Sequence, residues 1–271
     1  MKIVCLIRPN PPLIYFANKI NSEHQITEVI IEKPKFLSRN IFSEVKKHGF
    51  RGSFDILKRK ILQKKNKTVD YNAWFGNKWE TLDKNIPYLE TDNINSDIVF
   101  NRVKEIKPDL ILDHGTTIVK DHILQNSGLA LNLHWGLSPY YRGTHCTEWA
   151  LINWDPYNIG VTIHKLTKDI DGGSVLAQRR AEIKSNDTLH SINMQLTYLG
   201  TELILEVIDK LNNSEHLNFK KQDFSLGYLT YLIQWNHLLD KQIQYIERNN
   251  LIDIMLKKPS RYKKLPIIEM K

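Results

Sequence analysis

The 271-residue chain has only two cysteines, Cys5 and Cys146, and neither stands in a Cys-x-x-Cys spacing. That excludes a disulfide framework and a cysteine zinc site, and a reducing, cytoplasmic setting is expected. No apolar run approaches the roughly 18 residues that a membrane span requires. The opening residues, "MKIVCLIRPNPPLIYF", lack a small-residue cleavage site and read as a first strand rather than a signal peptide. None of the ten histidines falls in a His-Glu-x-x-His pattern, so no metal centre is expected. Glycine is missing where a phosphate-cradling loop would follow the first strand. That place reads "IRPNPPLIY", and Pro9, Pro11 and Pro12 offer no backbone N–H.

What is present reads as an ordinary globular composition, with 41% hydrophobic and 25% charged residues. The formal charge of +8 is uneven: residues 33–67 hold twelve Lys/Arg against Glu44 and Asp55. That segment reads as a basic helical insertion, with helices near 37–48 and 53–65. Either a solvated face or a dock for phosphate or RNA accounts for its charge.

Strand and helix patterns alternate along the chain. "KIVCLIR" (2–8), "ITEVIIEK" (26–33), "IPYLE", "DLILD" (109–113), "GLALNLH" (128–134), "IGVTIHKL" (159–166) and "SVLAQRRAEI" (174–183) read as strands. Helices are expected after Pro12, over "NSDIVFNRVKEI", over 144–153, and over 187–211, with Asp187 as cap and Ile192, Leu196, Leu199, Leu203 and Val207 on one face. This order predicts an α/β fold, a mostly parallel sheet with helices on both faces. Residues 1–211 form the expected catalytic domain. Residues 212–271, largely helical over 226–257, form a small C-terminal element suited to dimerisation.

The chemistry-bearing stretch is "LNLHWGLSPYYRG" (131–143). Alternate strand residues share a face, so Asn132 and His134 point together, opposite Leu129, Leu131 and Leu133. Both lie at a strand's carboxyl end, where open α/β sheets bind ligands. "KDIDGG" (168–173) follows another strand; Gly172 and Gly173 permit positive φ and close backbone approach. If the strands are neighbours, Asp171 meets His134. His145 and His164 read as structural.

Taken in order and spacing, Asn132-Leu133-His134, "SPYYRG", "GVTIH" (160–164) and "DIDGG" (169–173) resemble the folate-dependent formyltransferase family. The likeness spans roughly residues 85–210. It implies a Rossmann-like core, 10-formyltetrahydrofolate as formyl donor, no metal, and a catalytic set on Asn132, His134 and Asp171. In that chemistry an amine attacks the formyl carbon, and the formyl oxygen gathers negative charge. The Asn132 amide and a protonated His134 would stabilise that oxygen, and Asp171 would hold the imidazolium and accept a proton. The donor site would fall on Gly115, Thr116, Thr117 and Ile118, and on Thr167 and Asp169.

Among the family's members, glycinamide ribonucleotide enzymes carry the phosphate loop that this chain lacks. Methionyl-tRNA enzymes carry a larger C-terminal domain. The remaining subtype formylates nucleotide-linked amino sugars, such as dTDP- or GDP-linked 3- or 4-amino deoxysugars for lipopolysaccharide O-antigen. Resemblance therefore points to small-molecule partners. Transfer to methionyl-tRNA or another amine, and a non-catalytic RNA- or phosphate-binding module, stay as alternatives. Gly136 stands where the family commonly has Ser, and Trp135 where Pro or Gly is frequent. Acceptor contacts are expected from Arg8, Asn10, Tyr141 and Arg142.

Overall fold

The computed structural model describes residues 1–33, 71–258 and 263–270. Apart from Lys33, the basic segment 33–67 and its two expected helices lie outside the described residues. Among the described residues nine strands are formed: β1 (Ile3–Ile7), β2 (Glu28–Glu32), β3 (Tyr88–Thr91), β4 (Leu110–His114), β5 (Leu129–His134), β6 (Tyr141–Gly143), β7 (Gly160–Lys165), β8 (Val175–Arg180) and β9 (Tyr228–Thr230). Seven of them make one sheet in the order β3-β2-β1-β4-β5-β7-β8. Its first five strands run parallel, while β7 is antiparallel to both β5 and β8. The sheet is mostly parallel and Rossmann-like. The chain winds outward from β1 to β3, then restarts at β4 on the other side of β1.

Both faces of the sheet are covered because the central strands are apolar at successive positions. Ile3, Cys5 and Ile7 of β1 pack on one side with Phe16 and Ile20 of the helix Pro11–Glu23, and with Leu196, Ile204 and Val207 of the helix Leu189–Asn212. Val4 and Leu6 face the other way, onto Val99 and Val103 of the helix Asp97–Ile106. Leu131 and Leu133 of β5 belong to the first core and are almost fully buried. Leu131→Ala is therefore expected to cost about 2–5 kcal/mol of stability, read from chemical denaturation.

Several element ends differ from the sequence reading. The helix Leu189–Asn212 is capped by Thr188, whose hydroxyl accepts from the Ser191 N–H while the Ser191 hydroxyl accepts from the Thr188 N–H. Asp187 instead takes the Lys184 N–H and the Ser191 hydroxyl. The expected long helix over 226–257 is two shorter helices, His237–Arg248 and Leu251–Leu256, preceded by β9. Strand β9 pairs in parallel with β6, which the sequence presented as loop. This small ribbon ties the C-terminal element to the segment following β5.

Candidate active site

The register of the sheet gathers the polar residues at one place. Asn132 lies across from Asp113 of β4 on one side and His164 of β7 on the other. Ala130, Asn132 and His134 share one face of β5, and His134 at its tip is buried. The loop after β7 then returns Asp171 to the same point. Its Oδ2 lies 3.4 Å from His134 Nδ1, and its Oδ1 lies 3.4 Å from His164 Nε2. The Gly143 N–H donates to Oδ2 at 2.7 Å, so β6 also holds the carboxylate.

Asp171 itself adopts φ +46, a left-handed conformation uncommon for a residue with a Cβ. Neither Gly172 nor Gly173 takes positive φ; Gly173 is needed because a Cβ there would collide with the Lys165 carbonyl. Buried Gln222 secures the loop by donating to the carbonyls of Asp171 and Gly173 at 2.7 and 2.6 Å. Nothing in the sequence marked Gln222.

His134 is fixed from its other side. Its Nε2 is 3.0 Å from the Tyr141 carbonyl oxygen, which only accepts, so that nitrogen carries the proton. A Cβ at Gly136 would collide with this same Nε2 and sit 2.7 Å from the Tyr141 carbonyl. The departure at position 136 thus makes room for the imidazole. Gly143, at φ +93, brings its backbone against Thr230 of β9. Gly143→Ala is expected to part β6 from β9 and lower the melting temperature, at a cost of about 1–3 kcal/mol.

The electrostatics follow from burial. It pushes the His134 imidazole below its ordinary pKa, against the pull of the Asp171 charge and the Tyr141 carbonyl. The balance favours the neutral imidazole more than it would in water. Burial alone would raise Asp171, but the charge of His134, the hydrogen bond and charge of His164 and the Gly143 N–H outweigh it. Asp171 is held below the usual carboxylate range. His164, expected to be structural, shares this carboxylate, and its Nδ1–H donates to the Lys165 carbonyl at 2.8 Å. His145 does serve structure: it pairs with Glu148 and stacks on Trp235.

On the amide side, Asn132 Nδ2 donates to Asp113 Oδ2 at 2.5 Å, and the Thr116 hydroxyl donates to Asp113 Oδ1. Asp113 is buried, and burial pushes its carboxyl up to about 7. The sequence reading passed over Asp113 as the last residue of an apolar strand.

The expected donor loop divides. Thr116 is tied to Asp113, and the Thr117 N–H and hydroxyl both donate to buried Glu32, so these side chains are committed. Gly115, at φ +80, and Ile118 are exposed, on the loop that follows β4 and Asp113, the cross-strand partner of Asn132. Thr167 donates to the Asp169 carbonyl at 3.4 Å, and Asp169 is exposed.

The expected acceptor residues are also sorted. Asn10 caps the helix Pro11–Glu23 by accepting from the Leu13 N–H. Arg8 lies half-buried with Nε 3.6 Å from Glu32. The Tyr141 hydroxyl turns away from His134 to donate to Asp155 at 2.8 Å. Arg142 is buried with its guanidinium 4.0 Å from the Phe224 ring centroid.

Comparison with known proteins gives the same direction. Residues 58–208 match the formyl transferase family. A methionyl-tRNA formyltransferase from Borrelia turicatae is 29% identical over 178 residues, 65% of this chain and 57% of that protein. The chain thus spans a little over half the length of that curated relative. A likely sugar N-formyltransferase from Mycobacterium tuberculosis superposes with a TM-score of 0.54 at 19% identity, over 86% of this chain and 77% of that one. The N-formyltransferase from Helicobacter canadensis, solved with folinic acid and dTDP-3-aminofucose, gives 0.50 at 18% identity, over 87% and 73%.

Proposed function

The chain belongs to the formyl transferase family, and we propose that it moves the formyl group of 10-formyltetrahydrofolate onto the amine of a nucleotide-linked amino sugar. The observation that carries this reading is the convergence of Asn132, His134 and Asp171 at the carboxyl end of β5. The exposed backbone of Gly115 and the apolar Ile118, on the loop after β4, offer a surface for a flat heterocycle.

Within this site the proton shed by the attacking amine, as the new C–N bond forms, goes to His134 Nδ1, the nitrogen without a hydrogen, on the side it shares with Asp171. Both of its nitrogens then face acceptors, Asp171 and the Tyr141 carbonyl, so the imidazolium is well matched once made. The same proton is then available to the folate nitrogen as its bond to the formyl carbon breaks. Asn132 supplies an N–H to the formyl oxygen, where negative charge develops. His164 and Gly143 keep Asp171 ionised and aimed.

On the acceptor side, Arg142 is a buried cation, with its Nε unbonded among the described residues. A diphosphate fits that requirement. The named ligand of the Helicobacter canadensis protein supports an amino-sugar nucleotide, while the Borrelia turicatae relative supports methionyl-tRNA as the second reading. A lipopolysaccharide destination and a cytoplasmic site belong to the first reading. Arg142→Ala is expected to raise the KM for the nucleotide sugar by about tenfold or more with donor KM unchanged, as loss of a charge-assisted contact would. An unchanged acceptor KM would remove Arg142 from the site.

A further inference from the structure

An asparagine amide is nearly symmetric in shape, and its two ends do opposite things. One end donates and the other accepts, so a flip about the last side-chain bond would place a carbonyl oxygen against the formyl oxygen and repel it. Something in the protein must choose the end. Asp113 sits directly across the parallel β4–β5 pairing from Asn132, almost wholly buried, and its Oδ2 lies 2.5 Å from Asn132 Nδ2.

A carboxylate only accepts. Asp113 therefore engages the NH2 end of the amide, occupies one of its two hydrogens, and leaves the other for substrate. Its second oxygen accepts the Thr116 hydroxyl, which fixes the carboxylate plane. Resting on the formyl-transfer reading above, we infer that Asp113 is a positioning residue: it grips one N–H of Asn132 so that the other, and never the amide oxygen, faces the formyl oxygen.

The cost of this arrangement shows in the surroundings. Burial is the main force raising the Asp113 carboxyl, and the charges of Asp171, from the loop after β7, and of Glu32, on β2, push the same way. Only the Thr116 and Asn132 hydrogen bonds oppose them. Glu32 has Arg8 beside it, and Asp171 has His134 and His164. Near neutral pH Asp113 therefore changes between two forms. Ionised, it holds the NH2 end. Protonated, it presents an O–H that the Asn132 oxygen can accept, and the amide is free to turn.

The test uses the full chain and 10-formyltetrahydrofolate labelled with carbon-13 in the formyl group, without any acceptor. Isotope-edited infrared spectroscopy reads the formyl C=O stretch, which falls when the oxygen receives a hydrogen bond. In the wild type the bound stretch is expected low at pH 8, rising towards its solution value as pH falls, with a midpoint at about 7. In Asp113→Asn the stretch is expected high at both ends of that range, with donor affinity essentially unchanged.

Thermal stability gives a second readout. The folded-state carboxyl lies above its ordinary value of 3.8. Its contribution is complete below that value and is lost as pH rises to about 7. Wild type should therefore lose melting temperature relative to Asp113→Asn between pH 5 and pH 8, which checks that the carboxyl titrates in the folded protein over the range in which the formyl stretch changes. Should the variant not fold, the wild-type titration alone decides. A low stretch that ignores both pH and the substitution would overturn the positioning role while leaving the donor site standing. Absence of donor binding to the wild type would overturn the formyl-transfer reading and this inference with it.

Discussion

His134→Asn is expected to lower turnover by about 10²–10⁴-fold, the usual worth of a positioned acid–base group, while binding of 10-formyltetrahydrofolate stays nearly intact. Asparagine keeps a polar group near the Tyr141 carbonyl but cannot carry the amine's proton to the folate nitrogen. Space is not the obstacle, because position 136 is a glycine and the smaller side chain fits beneath it. Single-turnover kinetics and equilibrium binding separate the two effects. A variant with full activity would remove His134 from the chemistry.

Asp171→Asn is expected to have an effect of similar size, for a different reason. The substitution removes the charge that His134 and His164 share while still offering an oxygen to the Gly143 N–H. What is lost is the acceptor that stabilises His134 once it holds a proton. The two residues act as a unit, so the double variant should be little slower than the slower single variant. Effects that multiplied would mean that Asp171 serves something other than His134. Burial already sets the wild-type His134 below its ordinary value, so its limb in the pH profile belongs below the usual imidazole range. Removing the neighbouring charge moves that limb lower still.

These effects depend on residues that differ in how plainly the sequence shows them. Asn132 and His134 are legible because two polar residues at even positions interrupt an apolar strand just before Gly, Pro and Tyr. The central strands are legible because parallel strands buried on both faces need long apolar runs. Asp171 is legible as a loop residue, but its meeting with His134 depends on β5 and β7 being neighbours, which is a fact of topology.

What escaped has physical reasons. β6 is three residues long, "YRG", and its partner β9 arrives some eighty residues later, so neither shows a strand period. Asp187 and Thr188 are both cap-forming types, and only the geometry of the first turn selects Thr188. His164 looks structural in the sequence because its partner comes from the following loop. Asp113 follows an apolar run and reads in the sequence as the charged residue that marks a strand end, although β4 continues through His114. The available signal was its register: an acid at the carboxyl tip of one parallel strand, opposite an amide on the next.

The most direct measurement is release of tetrahydrofolate from 10-formyltetrahydrofolate by the purified protein, with nucleotide-linked amino sugars, charged initiator methionyl-tRNA and glycinamide ribonucleotide offered in turn. Turnover with an amino-sugar nucleotide, lost in His134→Asn, is the predicted result. Turnover with methionyl-tRNA alone, or turnover that survives the His134→Asn substitution, would contradict it.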